Sequence, residues 1–134
     1  MPTILADTSA LYALLDQSDQ HHQEAARFYY RLPLGTRLIV IEYVLVELMT
    51  LLRKRGLTSI AIQFRERLLQ SNIFVLHHSS PKLEREAFSI FRNFSDKNWS
   101  YTDCALYAIA RRFGNAPIFS FDHHIVQMGL IRLP

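Results

Sequence analysis

Five short apolar runs recur along this chain and are separated by longer segments of mixed character. Each run is only four or five residues long and is rich in branched and aromatic side chains, which is typical of buried β-strands. The predicted strands are residues 3–6, 38–41, 73–76, 117–121 and 130–133.

Between these runs, apolar residues return every three or four positions, as on one face of an α-helix. Glycines at positions 56 and 114 end two of these segments, as expected for helix C-termini. Helices are predicted directly after Asp7, from near Asp19, over 43–55, from Thr58, over 83–94, and from a cap at Ser100 or Thr102 to Arg112.

Strands that alternate with helices, and that are apolar along their whole length, indicate a parallel sheet covered on both faces. We therefore predict an α/β fold with a mostly parallel sheet of four or five strands. In such folds, ligands bind beyond the carboxyl ends of the strands, where the strand order switches direction. Asp7 and Asp122 both follow predicted strands directly, so we expect them at the same edge of the sheet.

The composition fits a globular, intracellular protein. The chain has 134 residues, of which 49% are hydrophobic, so we expect one domain over residues 1–134 with a sizeable core. No stretch has the 18 or so consecutive apolar residues that a membrane span needs, and the N-terminus lacks the pattern of a signal peptide. Cys104 is the only cysteine, which excludes an internal disulfide and favours a reducing, cytoplasmic location.

The net charge of +3 understates how basic most of the surface is expected to be. If several acids gather in one pocket, the excess of Lys and Arg is spread over the rest of the molecule. A basic surface around an acidic pocket suits a polyanionic substrate, although ordinary solubilising charge is the alternative. The basic residues concerned are Arg53, Lys54, Arg55, Arg65, Arg67, Arg92, Lys97, Arg111 and Arg112.

Four acids stand in apolar surroundings and are the candidate site: Asp7, Glu47, Asp103 and Asp122. Taken singly, three have simpler explanations, since Asp7 and Asp103 also suit helix starts and Asp122 suits a turn. Glu47 does not, because it lies in the middle of a predicted helix and has no Lys or Arg three or four residues away. We expect its carboxylate to be buried and to find its partner elsewhere in the fold. Glu42 is assigned to the helix terminus and is left out of the site.

Convergence of these acids would predict a metal site. Two like charges about 4 Å apart repel by roughly 4 kcal/mol at an effective dielectric constant near 20, which stability alone does not justify. Mg²⁺ or Mn²⁺ reverses the sign of that energy, because both ions prefer carboxylate oxygens. The chemistry indicated is metal-assisted hydrolysis of a phosphodiester.

The order and setting of the acids resemble the PIN-domain family. The matching segments are ADTSALYALL, YVLVELMTLLRKR, SYTDCALYAIARR and IFSFDHH, which carry the four acids in chain order. The resemblance implies a three-layer α/β/α sandwich and metal-dependent ribonuclease activity. It also implies that Asp7, Glu47, Asp103 and Asp122 are catalytic and hold Mg²⁺ or Mn²⁺. A role as the VapC-like toxin of a type II toxin–antitoxin pair is implied too, with RNA as substrate, an antitoxin as partner and a homodimer as assembly.

Other interpretations are weaker but distinct. A non-catalytic RNA- or protein-binding module would use the same fold without turnover. Zinc binding by the three His-His pairs is disfavoured, because adjacent histidines point apart on a helix. Cys104 is expected to pack in the core, and its use as a nucleophile would need a nearby base. The aromatic residues best placed by sequence to stack on unpaired bases are Tyr29, Tyr30, Trp99 and Tyr101, although Trp99 also suits the edge of the core.

Overall fold

The computed structural model describes residues 2–134 and consists of a five-stranded parallel sheet flanked by helices. The strands are β1 (Thr3–Ala6), β2 (Arg37–Ile41), β3 (Phe74–His77), β4 (Ile118–Phe119) and β5 (Arg132–Leu133). The helices are α1 (Thr8–Leu15), α2 (His22–Tyr30), α3 (Glu42–Lys54), α4 (Thr58–Leu68), α5 (Pro81–Asn93), α6 (Tyr101–Arg112) and α7 (His124–Gln127). The predicted three-layer α/β/α sandwich is confirmed.

The strand order, β3-β2-β1-β4-β5, places the first strand at the centre of the sheet. The chain builds outwards from β1 through β2 to β3, then returns to the other side of β1 with β4 and β5. Leu5 pairs with Ile39 on one side and Ile118 on the other. The direction of winding therefore reverses between β1 and β4, which is where ligands bind in open parallel sheets.

The core follows from the apolar runs. Leu5, Ile39, Ile118 and Phe119 are at most 1% exposed, because helices cover both faces of the sheet at its centre. The longer helices each bury one stripe, and α6 buries most of its length from Asp103 to Ala110. Loss of water from this apolar surface is the main stabilising contribution to such a fold.

The helices and strands differ from prediction mainly at one edge of the sheet. Strand β4 ends at Phe119 and not at Phe121, because the backbone of Phe121 turns to donate a hydrogen bond to Ser9 Oγ at 3.0 Å. Helix α7 was not predicted. Helix α2 begins at His22 rather than near Asp19, since Asp19 instead accepts the His21 amide at 2.9 Å in a turn.

Within residues 2–134, each helix is too short or too polar to cross a lipid bilayer.

Candidate active site

Asp7 lies at the centre of the switch point between β1 and β4. Its amide donates to the carbonyl of Phe119 at 2.9 Å, which carries the pairing of the two strands one residue beyond β1. The carboxylate caps α1, where Oδ1 accepts the Thr8 amide at 2.7 Å. Capping is thus part of the role of Asp7, as its sequence setting allowed, but it occupies only one of the two oxygens.

A pair of serines holds the second oxygen of Asp7. Ser120 Oγ donates to Oδ2 at 2.8 Å, and Ser9 Oγ lies 3.4 Å from the same atom. The two hydroxyls are 3.2 Å apart, and Ser120 Oγ also accepts the amide of Asp122 at 2.9 Å. This network fixes Asp7 in orientation and joins the segment after β1 to the segment after β4.

Burial sets the acidity of Asp7. The residue is 4% exposed, and the loss of water raises the pKa of its carboxyl from 3.8 to about 6. The hydrogen bonds from Ser120 and Thr8 oppose that rise, whereas the negative charges of Asp103 and Asp122 add to it. Asp7 is therefore close enough to both acids to feel their charge, as expected for a shared pocket.

Asp103 is brought to the same place by the start of α6. It is the N3 residue of a capping box. Ser100 Oγ accepts the Asp103 amide at 3.0 Å, and Asp103 Oδ2 accepts the Ser100 amide at 2.9 Å. Asp103 is 6% exposed. Ser100 is thus the cap, and the alternative assignment to Thr102 was wrong.

Asp122 is linked to Asp103 through a histidine. His124 Nδ1 lies 3.1 Å from Asp103 Oδ2 and 3.4 Å from Asp122 Oδ1, and the His124 amide donates to Asp122 Oδ1 at 2.9 Å. The neighbouring His123 is mostly exposed, with Nδ1 3.6 Å from the same Asp122 oxygen. His124 therefore links the acid in the first turn of α6 to the acid that follows β4.

Glu47 does not share the surroundings of the other three. It is exposed, because α3 buries Val44, Leu45, Leu48 and Leu52 while Glu47 and Val46 face outwards. The expectation that this carboxylate is buried was wrong, since apolar neighbours along a helix do not fix which side faces the core. Its helix does reach the start of α6, where the rings of Tyr43 and Tyr101 are 6.1 Å apart.

The donor set fits a divalent cation. Among residues 2–134, no Lys or Arg forms an ion pair with Asp7, Glu47, Asp103 or Asp122. Within the same range, Asp103 Oδ1 and Asp122 Oδ2 accept no hydrogen bond, and neither atom is sealed from solvent. Carboxylate oxygens that no Lys or Arg neutralises are suited to Mg²⁺ or Mn²⁺.

Two histidines enter the site in a way that the sequence did not predict. The ligand atoms of Asp122, His123 and His124 lie within 4.8 Å of one another. The two imidazole rings are 4.4 Å apart and do not diverge, because His123 precedes α7 and is not part of it. The expectation that adjacent histidines point apart holds on a helix and therefore does not apply to His123 and His124. The sequence signal for this contact was the position of His124, two residues after the candidate ligand Asp122.

Several other candidate residues are engaged elsewhere. Trp99 is 6% exposed and donates to Gln127 Oε1 at 3.0 Å, so it closes the core edge and presents no free face for a base. The Tyr101 hydroxyl points to Glu84, and Tyr29 packs against Phe74. Burial raises the pKa of the Cys104 thiol to about 11, which confirms packing and excludes a thiolate nucleophile at neutral pH.

Comparison with known proteins agrees with this architecture. The family model of the PIN domain matches residues 4–130. The crystal structure of VapC20 from Mycobacterium tuberculosis, a toxin that cleaves the sarcin–ricin loop, is similar to this fold with a TM-score of 0.87. The two sequences are 25% identical, and the similarity covers 96% of each chain. A comparison with curated proteins found no match.

Proposed function

This chain belongs to the PIN-domain family, and on that premise we propose that it is a metal-dependent endoribonuclease. The observation that supports the proposal most directly is the convergence of Asp7, Asp103 and Asp122 at the switch point of the sheet without a Lys or Arg partner. Repulsion and desolvation make such a cluster destabilising in the metal-free protein, and a bound cation would offset both costs.

In this proposal, Asp7, Asp103 and Asp122 hold Mg²⁺ or Mn²⁺ and Glu47 contributes from α3. When bound, the ion would supply Lewis-acid chemistry, lowering the pKa of water and stabilising charge on a phosphodiester oxygen. The protein's own part is to hold the carboxylates still. Ser120 and the Thr8 amide orient Asp7, and the capping box orients Asp103. Fixed ligands of this kind avoid reorganisation during the reaction.

The substrate proposed is single-stranded or looped RNA. A polyanion is suited to the basic residues on the helices, of which Arg53, Lys54 and Arg67 are exposed. Similarity to a VapC toxin supports the finer proposal that this chain is the toxin of a type II toxin–antitoxin pair. An antitoxin partner, a homodimeric assembly and a cytoplasmic location belong to the same proposal.

Replacement of Asp7 by Asn tests the proposed activity. We expect Asp7→Asn to fold and to lose cleavage of a looped RNA by at least 100-fold in Mg²⁺ or Mn²⁺, because it removes a ligand charge at the centre of the cluster. Cleavage is followed by gel electrophoresis of an end-labelled RNA. Asp96→Asn is the matched control, since Asp96 is 73% exposed and pairs with Lys97 at the surface.

Two outcomes would count against the enzyme. Cleavage by Asp7→Asn at the wild-type rate would refute the assignment of the site. Retention of RNA by the wild type without products, in either divalent ion, would favour the non-catalytic binding module.

A further inference from the structure

His124 contacts two of the three clustered carboxylates, and the proposed function gives it no role. Its side chain is 16% exposed, and Nδ1 lies 3.1 Å from Asp103 Oδ2 and 3.4 Å from Asp122 Oδ1. Asp103 and Asp122 are separated by nineteen positions and belong to different segments of the fold. His124 is the side chain that joins them.

The direction of the hydrogen bond between His124 Nδ1 and Asp103 is determined by the acceptor. Ionised carboxylate oxygens offer only lone pairs, so Nδ1 carries the hydrogen and donates. This holds for the neutral ring and for the protonated ring alike. The His124 amide adds a second hydrogen bond, to Asp122 Oδ1 at 2.9 Å, and this bond holds Asp122 beside the imidazole.

The oxygens that His124 engages are not the ones left for an ion. Asp103 Oδ2 already accepts the Ser100 amide of the capping box at 2.9 Å, so the imidazole binds an oxygen that is already hydrogen-bonded. On Asp122, both the amide and the ring of His124 meet Oδ1. Asp103 Oδ1 and Asp122 Oδ2 remain open, with no donor from residues 2–134.

The element that carries His124 is anchored at two other points. Ile125 is completely buried, and Gln127 Oε1 accepts the indole N–H of Trp99 at 3.0 Å. Trp99 directly precedes the capping box of α6. Helix α7 is therefore attached to the start of α6 by Gln127 and by His124, and this double attachment keeps the imidazole against Asp103.

We propose that His124 is a positioning residue: its Nδ1–H binds Asp103 Oδ2 and lies in charge contact with Asp122 Oδ1, which its amide binds, so that the other oxygen of each acid faces the divalent cation. The inference rests on the proposed metal site. An imidazole that only blocked the site would engage the free oxygens, and here it does not. Partners of this kind, bound to the ligands of a metal, typically contribute a factor of 10 to 100 in metal affinity.

Three substitutions at the same position test the proposal through Mn²⁺ binding, measured by isothermal titration calorimetry without RNA. We expect His124→Ala to raise the Kd for Mn²⁺ about 10- to 100-fold. His124→Asn should recover most of that loss, because the Asn amide nitrogen stands where Nδ1 stands. His124→Gln should not, because its amide nitrogen reaches the position of Nε2. Thermal melting in EDTA verifies that each variant is folded.

The matched control is His78→Ala, since His78 is 72% exposed and pairs with Glu42 at 3.5 Å, which is not one of the proposed ligands. Its Kd should equal that of the wild type. An unchanged or lower Kd in His124→Ala would overturn the proposal, as would recovery by Gln and not by Asn. If His124→Ala does not fold, the Kd values for Mn²⁺ of His124→Asn and His124→Gln still decide whether a donor at the Nδ1 position is needed.

The same data separate this inference from the proposed function. If the wild type binds no Mn²⁺, the metal-dependent activity and the role of His124 both fail. If the wild type binds Mn²⁺ and cuts RNA while His124→Ala binds equally well, only the positioning role fails.

Discussion

A single residue, Asp7, carries most of the electrostatic cost of the site. Its carboxylate receives hydrogen bonds from Thr8 and Ser120, yet burial still raises its pKa to about 6. Hydrogen bonds replace only part of the hydration that an ionised group has in water. Without a cation, an ionised Asp7 therefore destabilises the folded protein.

This cost predicts a pH dependence of stability. Between pH 3.8 and about 6, folded Asp7 holds a proton that the unfolded chain has released, so the free energy of unfolding falls as pH rises. The fall amounts to roughly 3 kcal/mol once pH exceeds the folded pKa. Asp7→Asn carries no charge and escapes this loss. In EDTA, the stability of Asp7→Asn relative to wild type should therefore increase by about that amount between pH 4 and pH 7.5.

Chemical denaturation at a series of pH values measures this difference. Asp96→Asn serves as the control, because Asp96 is 73% exposed and its replacement should leave the pH profile nearly parallel to that of the wild type. Parallel profiles for Asp7→Asn and wild type would show that Asp7 titrates normally in the folded protein.

At the level of the element, α7 shows what sequence periodicity does not detect. It has only four residues, too few for an apolar repeat, and it is held by tertiary contacts. The Asp122 carboxylate accepts the His124 amide at its start, and Trp99 donates to Gln127 at its end. Strands β1, β2 and β3 were predicted within one residue, because continuous apolar runs encode burial directly.

The contact between Gln127 and Trp99 predicts a measurable loss of stability. Gln127→Ala removes the acceptor of the indole N–H, and we expect it to lower the free energy of unfolding by about 1 kcal/mol. Trp99 is the only tryptophan, so its fluorescence during urea denaturation reports the change. Val126→Ala is the control in the same helix, since Val126 is 60% exposed and should cost less than about 0.5 kcal/mol. Equal effects of the two substitutions would show that the hydrogen bond contributes nothing.

The candidate site was only partly predictable, because some of its residues are brought together by tertiary contacts that leave no local sequence pattern. Asp7 and Asp122 followed from strand ends, and Asp103 from the start of a helix, because parallel topology brings those positions to one edge. Ser120 and His124 depend on how separate segments meet, which no local pattern records. For Glu47, a local pattern led to a wrong prediction: its apolar neighbours indicated burial, but the side chain lies on the exposed side of α3.

At the scale of the whole molecule, the proposed metal site would couple cation binding to stability. A ligand that binds only the folded state adds about 2.7 kcal/mol at 100 times its Kd, which corresponds to a rise of roughly 10 °C in Tm for a chain of this size. We expect Mn²⁺ to raise the Tm of the wild type by about this much. Asp7→Asn should respond weakly, and Asp96→Asn should respond fully. A Tm that is independent of Mn²⁺ in the wild type would argue against a metal site.

The central position of β1 has a consequence for synthesis of the chain. Asp7 is made almost at once, but its amide bonds to Phe119 and its carboxylate to Ser120, which are translated more than a hundred residues later. A nascent chain therefore cannot complete the hydrogen bonds that orient Asp7 until the segment with Phe119 and Ser120 has left the ribosome.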